Sequence, residues 1–93
     1  MIQNTKGKLA ADAVNGHYGK GFPSDLVKRT RAMLSALHAA SVLEDLRFPP
    51  GNNLEELKGD RVGQHSVRIN KQWRICFVWT ETGPADVEIV DYH

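Results

Sequence analysis

The sequence predicts an α+β fold, with helices packed on one face of a small antiparallel sheet. Three observations predict it. Apolar residues recur at helical spacing in the first half of the chain. After Gly63 they alternate with a period of two. Short turns, not long crossovers, separate the alternating runs, so neighbouring strands run antiparallel.

The first five residues have room for a short strand. Lys8 to Val14 has a weak helical pattern, which Gly16, Gly19 and Gly21 end. Phe22-Pro23-Ser24 reads as a helix entrance, with Ser24 as N-cap and Asp25 in the first turn. Leu26, Val27, Thr30, Met33, Leu34 and Leu37 then form one apolar face. Lys28, Arg29, Arg31 and Ser35 take the polar one. Ser41 and Glu44 have capping-box spacing and open a short helix, which cannot pass Pro49-Pro50. Residues 49–53 form a loop.

His65 to Ile69 is the first alternating strand and Asn70-Lys71 its turn. Gln72 to Thr80 is a strong strand, residues 81–84 turn, and Ala85 to Asp91 is the last strand. Alternation puts Trp73, Ile75, Phe77 and Trp79 on one face, where the helices must cover them. Val67, Ile69, Val87 and Ile89 join that face. Ser66, Arg68, Arg74, Cys76, Glu88, Val90 and Tyr92 then turn to the other. A bulge in any strand would upset this assignment.

Ninety-three residues allow one domain, 1–93. An apolar content of 41% against 25% charge excludes a disordered chain, and no apolar run is long enough to span a bilayer. The N-terminal stretch lacks a signal-peptide core, and the single cysteine, Cys76, has no internal disulfide partner. A cytoplasmic protein is expected.

Net charge is +1, but its distribution is uneven. Lys58, Arg61, Arg68, Lys71 and Arg74 face only Asp60 between positions 58 and 74. Beyond Arg74 only Glu81, Asp86, Glu88 and Asp91 are charged. A basic segment beside carboxylates suits phosphate chemistry, and a solvated strand face would produce it too. His17, His38 and His65 have no metal-ligand spacing with one another or with Cys76. Phosphate-loop, dinucleotide and nucleophile-elbow motifs are absent.

Four ordered motifs resemble a known family. They are Leu57-Lys58-Gly59-Asp60-Arg61, Gly63-x-x-Ser66-Val67-Arg68-Ile69-Asn70, Gln72-Trp73-Arg74-Ile75 and Val90-Asp91-Tyr92-His93. Their order and spacing are similar to HigB-type toxins of the RelE-like toxin–antitoxin superfamily. The likeness is dense from about Arg47 onward.

The resemblance implies a RelE-like fold and an mRNA endoribonuclease acting in the A site of the 70S ribosome. Its nucleophile is the RNA 2′-hydroxyl, and no metal or other cofactor is needed. A HigA-type helix-turn-helix antitoxin is implied as partner, with operator DNA bound only through the toxin–antitoxin complex. By motif matching, Arg74, Asp91, Tyr92 and His93 are the catalytic candidates. Lys58, Arg61, Arg68 and Lys71 are the RNA-binding ones. Some relatives carry a His just before the Leu-Lys-Gly-Asp motif. Here Leu54-Glu55-Glu56-Leu57 stands there, which makes Glu55 a candidate base. Two other readings stay open: a gyrase-poisoning ParE-type toxin of the same fold, and a non-catalytic RNA- or partner-binding module.

Overall fold

The computed structural model describes residues 1–91. Among these residues two α-helices pack on one face of a four-stranded antiparallel sheet of order β1-β2-β3-β4. Helix α1 is Lys8–Val14 and α2 is Val27–Ala39. The strands are β1 Glu55–Glu56, β2 His65–Arg68, β3 Trp73–Thr80 and β4 Gly83–Asp91.

The helical half departs from expectation at its entrances. Ser24 does not cap α2. It begins a tight 3-10 turn, Ser24–Leu26, and its carbonyl accepts the Val27 N–H. Backbone bonds of that turn take the place of a side-chain cap. On α2, Thr30, Met33, Leu34 and Leu37 are buried, as their spacing requires. Arg29 is not on a solvated face. Its Nη2 donates to the carbonyls of Gly51 (3.4 Å) and Arg68 (3.1 Å), tying α2 to the 49–53 loop and the end of β2.

The capping box expected at Ser41 is built differently. The Asp45 carboxylate, not Glu44, accepts the Ser41 N–H (2.9 Å) and Val42 N–H (3.3 Å). Glu44 pairs instead with Arg47. Leu43–Arg47 is a 3-10 turn, because the five residues before Phe48-Pro49 are too few to build an α-helix.

The N-terminal strand is reduced to one parallel bridge, Thr5 to Val87. The first residues run beside β4 where it bulges. Cys76 pairs with Glu88 and Val78 with Ala85, so β4 spends one extra residue there. Asp86 adopts φ 50°, and the Asn4 side chain clamps it with two hydrogen bonds, to Oδ1 (2.8 Å) and from N (2.9 Å). The bulge lies early in β4, so the facing of Val87 and Ile89 is unaffected. β1 escaped sequence reading because Glu-Glu has no strand pattern. It is a strand only because Ser66 and His65 lie beside it.

The core lies between helices and sheet. Met33, Leu37, Leu46, Val67, Ile75, Phe77 and Val87 are fully buried there. Gly83 holds the start of β4 at φ 130°, and a Cβ there would run into the Met1 backbone. Gly83→Ala is therefore expected to cost on the order of 1–3 kcal/mol. A thermal melt should register this as a loss of ~4–8 °C per kcal/mol.

Candidate active site

The face of the sheet away from the helices carries the candidate residues. Arg68 and Arg74 are direct partners across the β2–β3 ladder. Like charges placed opposite each other destabilise a sheet by a few tenths of a kcal/mol or more. A strand face chosen only for solvation would not need that pairing. It does concentrate positive charge where an anion can bind.

Arg74 is fixed in place. Its side chain is only 11% exposed. Nε donates to Ser66 Oγ (2.8 Å) and Nη2 to the Asn53 carbonyl (2.8 Å). Ser66 lies two residues before Arg68 and shares its face; Asn53 comes from the loop that Arg29 holds. The Glu55 carboxylate stands 3.6 Å from Nη2, positioned because Glu55 pairs with Ser66. Glu55 is more than half exposed, so water screens this pair.

The other candidates spread outward. Lys58 is exposed at the head of the tight turn Gly59–Arg61. Arg61 is half-buried, and its Nη1 donates to Glu88 Oε1 (3.0 Å) and Gln64 Oε1 (3.1 Å). Lys71 is exposed at the tip of the β2–β3 turn, which the Asn70 carboxamide fixes by accepting the Gln72 and Trp73 N–H groups.

Asp91 pairs with Trp73 at the end of the β3–β4 ladder. Its carboxylate accepts both bonds from the Gln72 amide at 3.2 Å. Tyr92 and His93 lie outside the described residues. The structure thus gathers Arg68, Arg74, Ser66 and Glu55; Lys71 sits at the β2–β3 turn, Arg61 is bonded to Glu88 and Gln64, and Asp91 to Gln72. Asn53 and Glu88 were not singled out as functional. Asn53 contributes a backbone carbonyl, which no side-chain pattern announces.

Cys76 shows that this face is not bare. Alternation assigns it here correctly, yet it is 0% exposed. Burial pushes its thiol pKa up; Arg61 and Arg74 oppose that rise and Glu88 adds to it.

Known families agree with this architecture. The model of the HigB-like family, described as the RelE-like toxin of the type II toxin–antitoxin system HigB, matches residues 13–93. The chain belongs to this RelE-like toxin family.

Toxin HigB-1 of Vibrio cholerae serotype O1 is 42% identical over 59 residues, covering 63% of this chain and 62% of that one. A Haemophilus influenzae protein is 38% identical over 55 residues, or 59% and 54% of the two chains. Each match spans less than two thirds of the relative's own length. Among solved structures, the YoeB–YefM complex from Staphylococcus aureus superposes with a TM-score of 0.59 at 18% identity, over 100% of this chain and 98% of that one. The YoeB dimer from the same organism gives 0.58 at 20%, over 99% and 94%. At such identities the likeness shows the RelE-like fold alone. Among the described residues no helix is long and apolar enough to cross a membrane.

Proposed function

We propose that residues 1–93 act as one cytoplasmic toxin domain that cleaves translated mRNA in the ribosomal A site. Attack by the RNA 2′-hydroxyl is the reaction, and a HigA-type antitoxin is the restraint. Operator DNA is reached only through that antitoxin complex. The observation that carries the reading is the opposed pair Arg68 and Arg74, with Arg74 held by Ser66 and Asn53.

Such cleavage needs a base for the 2′-hydroxyl, cations for the pentavalent phosphate and an acid for the leaving 5′-oxygen. Arg74 meets the second need: its planar, permanently charged fork is already oriented, so little reorganisation accompanies the transition state. Arg68 contributes binding charge. Glu55, 3.6 Å from Arg74 Nη2, is the candidate base. Tyr92 and His93 remain the candidates for the other proton transfer, and Asp91 for orienting them.

The test is primer extension on mRNAs after induction of the chain and of Arg74→Ala. Cuts within reading frames that vanish with Arg74→Ala are expected. Intact mRNA in growth-arrested cells, with DNA-damage signalling, would point to gyrase poisoning instead. For a non-catalytic RNA- or partner-binding module, Arg74→Ala would weaken binding, while Tyr92→Phe or removal of His93 would leave activity unchanged.

Arg68→Ala carries a separate expectation. Losing one phosphate contact should weaken RNA binding irrespective of sequence. It should also flatten the log–log salt dependence of the affinity by about 0.7. Titrations at several salt concentrations measure this, and an unchanged slope would remove Arg68 from the phosphate contacts.

A further inference from the structure

Leu57 (5% exposed) and Cys76 (0%) are buried, yet neither belongs to the core between helices and sheet. They share the opposite face, so something must cover that face locally. The 57–64 segment supplies part of that cover, since its Arg61 meets Glu88, the strand partner of Cys76. It leaves β1, makes the turn Gly59–Arg61 and rejoins β2, and the Leu57 N–H donates to the Gln64 carbonyl at 2.8 Å to close its base. β1 is only two residues long, so the ladder alone holds this segment weakly.

Arg61 supplies the missing hold. The strands align Glu55, Ser66, Cys76 and Glu88 in one row across the sheet. The segment starts at the β1 end of that row, and Glu88 stands at the other end. Arg61 therefore reaches past the Cys76 position to meet Glu88 at 3.0 Å, while Gln64 braces the same Nη1. The two side chains are 29% and 25% exposed, sheltered enough for the pair to be screened less than a surface one. Lys58 heads the same turn, and its carbonyl accepts the Arg61 N–H at 3.3 Å. Where Arg61 is held, the Lys58 backbone is held too.

We propose that Arg61 and Glu88 form a latch that fastens the 57–64 segment over the sheet and fixes the placement of Lys58. Arg61 is then a positioning residue and not a phosphate ligand. The part of this inference that concerns RNA rests on the endoribonuclease reading; the latch itself does not.

Cys76 is a built-in reporter. The full chain is exposed to a maleimide under native conditions, and the alkylation rate of the single thiol is compared across variants. Glu88→Gln, which keeps the shape and loses the charge, is expected to raise the rate roughly tenfold or more by local opening. Arg61→Ala should do the same, and the charge-exchanged double variant Arg61→Glu/Glu88→Arg should restore protection. Melting curves establish that each variant is folded at the assay temperature. Unchanged protection in folded Glu88→Gln and Arg61→Ala overturns the latch.

RNA cleavage separates positioning from direct contact. With a latch, Glu88→Gln raises KM several-fold with little change in kcat, and the effect disappears in a Lys58→Ala background. With a direct contact, Glu88→Gln releases Arg61 to the RNA, so KM stays or falls. The losses from Arg61→Ala and Lys58→Ala then add, and that result overturns the positioning role. A parent chain that cleaves no RNA overturns the endoribonuclease reading, and the thiol measurement still decides the latch.

Discussion

Arg74→Ala is expected to reduce RNA cleavage by ~10²–10³ in kcat, the loss typical when one preorganised donor to a transition-state oxyanion is removed. The magnitude follows from how Arg74 is held. Ser66 Oγ accepts from Nε and the Asn53 carbonyl from Nη2. Both anchors are neutral, so they orient the guanidinium without cancelling its charge. Arg74→Lys keeps the charge but cannot bridge both anchors and a phosphate, so it should recover only a small part of the loss. Single-turnover cleavage of a ribosome-bound message measures both variants. Cleavage by Arg74→Ala at the parent rate would sink the role.

Stability must be followed alongside. Ser66 is fully buried, and without Arg74 its hydroxyl loses a partner. Leaving such a group unpaired costs about 1–3 kcal/mol. Removing one of two facing arginines gives back part of that cost. The variant should thus melt a little earlier and remain folded at the assay temperature, with its far-UV spectrum intact.

The sheet was legible because alternation is a local signal. Trp73, Ile75, Phe77 and Trp79 needed no partner to declare their face, and that assignment put Arg68 and Arg74 together. α1 was legible as well, since glycines bracket it. The α2 entrance was not. Pro23-Ser24 suits a cap and equally suits a tight turn, and only backbone bonds decide between them. β1 had no pattern of its own; two glutamates become a strand only when Ser66 and His65 lie alongside. The surroundings of Arg74 were hidden for the same reason. Asn53 and Glu55 are about twenty residues away in sequence, and nothing in their spacing foretells a contact. Cys76 divides the two kinds of information. Alternation gave its face, but its burial depends on a cover held down by Arg61 and Glu88, twenty-seven residues apart.

Phe77→Ala is expected to be the most destabilising single change in the sheet. Phe77 is the largest fully buried side chain among the described residues, central in β3, with its ring stacked on His65 at 6.3 Å between centroids. Emptying such a site costs about 3–5 kcal/mol, because the cavity collapses only partly. A domain of this size has on the order of 5–14 kcal/mol in all, so the variant is left marginal. Its melting temperature should fall by some tens of degrees at ~4–8 °C per kcal/mol. Phe77→Leu fills most of the volume and should lose much less. Phe77 and Arg74 lie on opposite faces of one strand, which gives the pair of variants diagnostic value. Activity lost through Phe77→Ala should track the folded fraction and return on cooling below its transition. Activity lost through Arg74→Ala should not return, because the strand is in place and the charge is gone. If cooling restored both equally, Arg74 would be a structural residue of the sheet, and the catalytic face would have to be sought elsewhere.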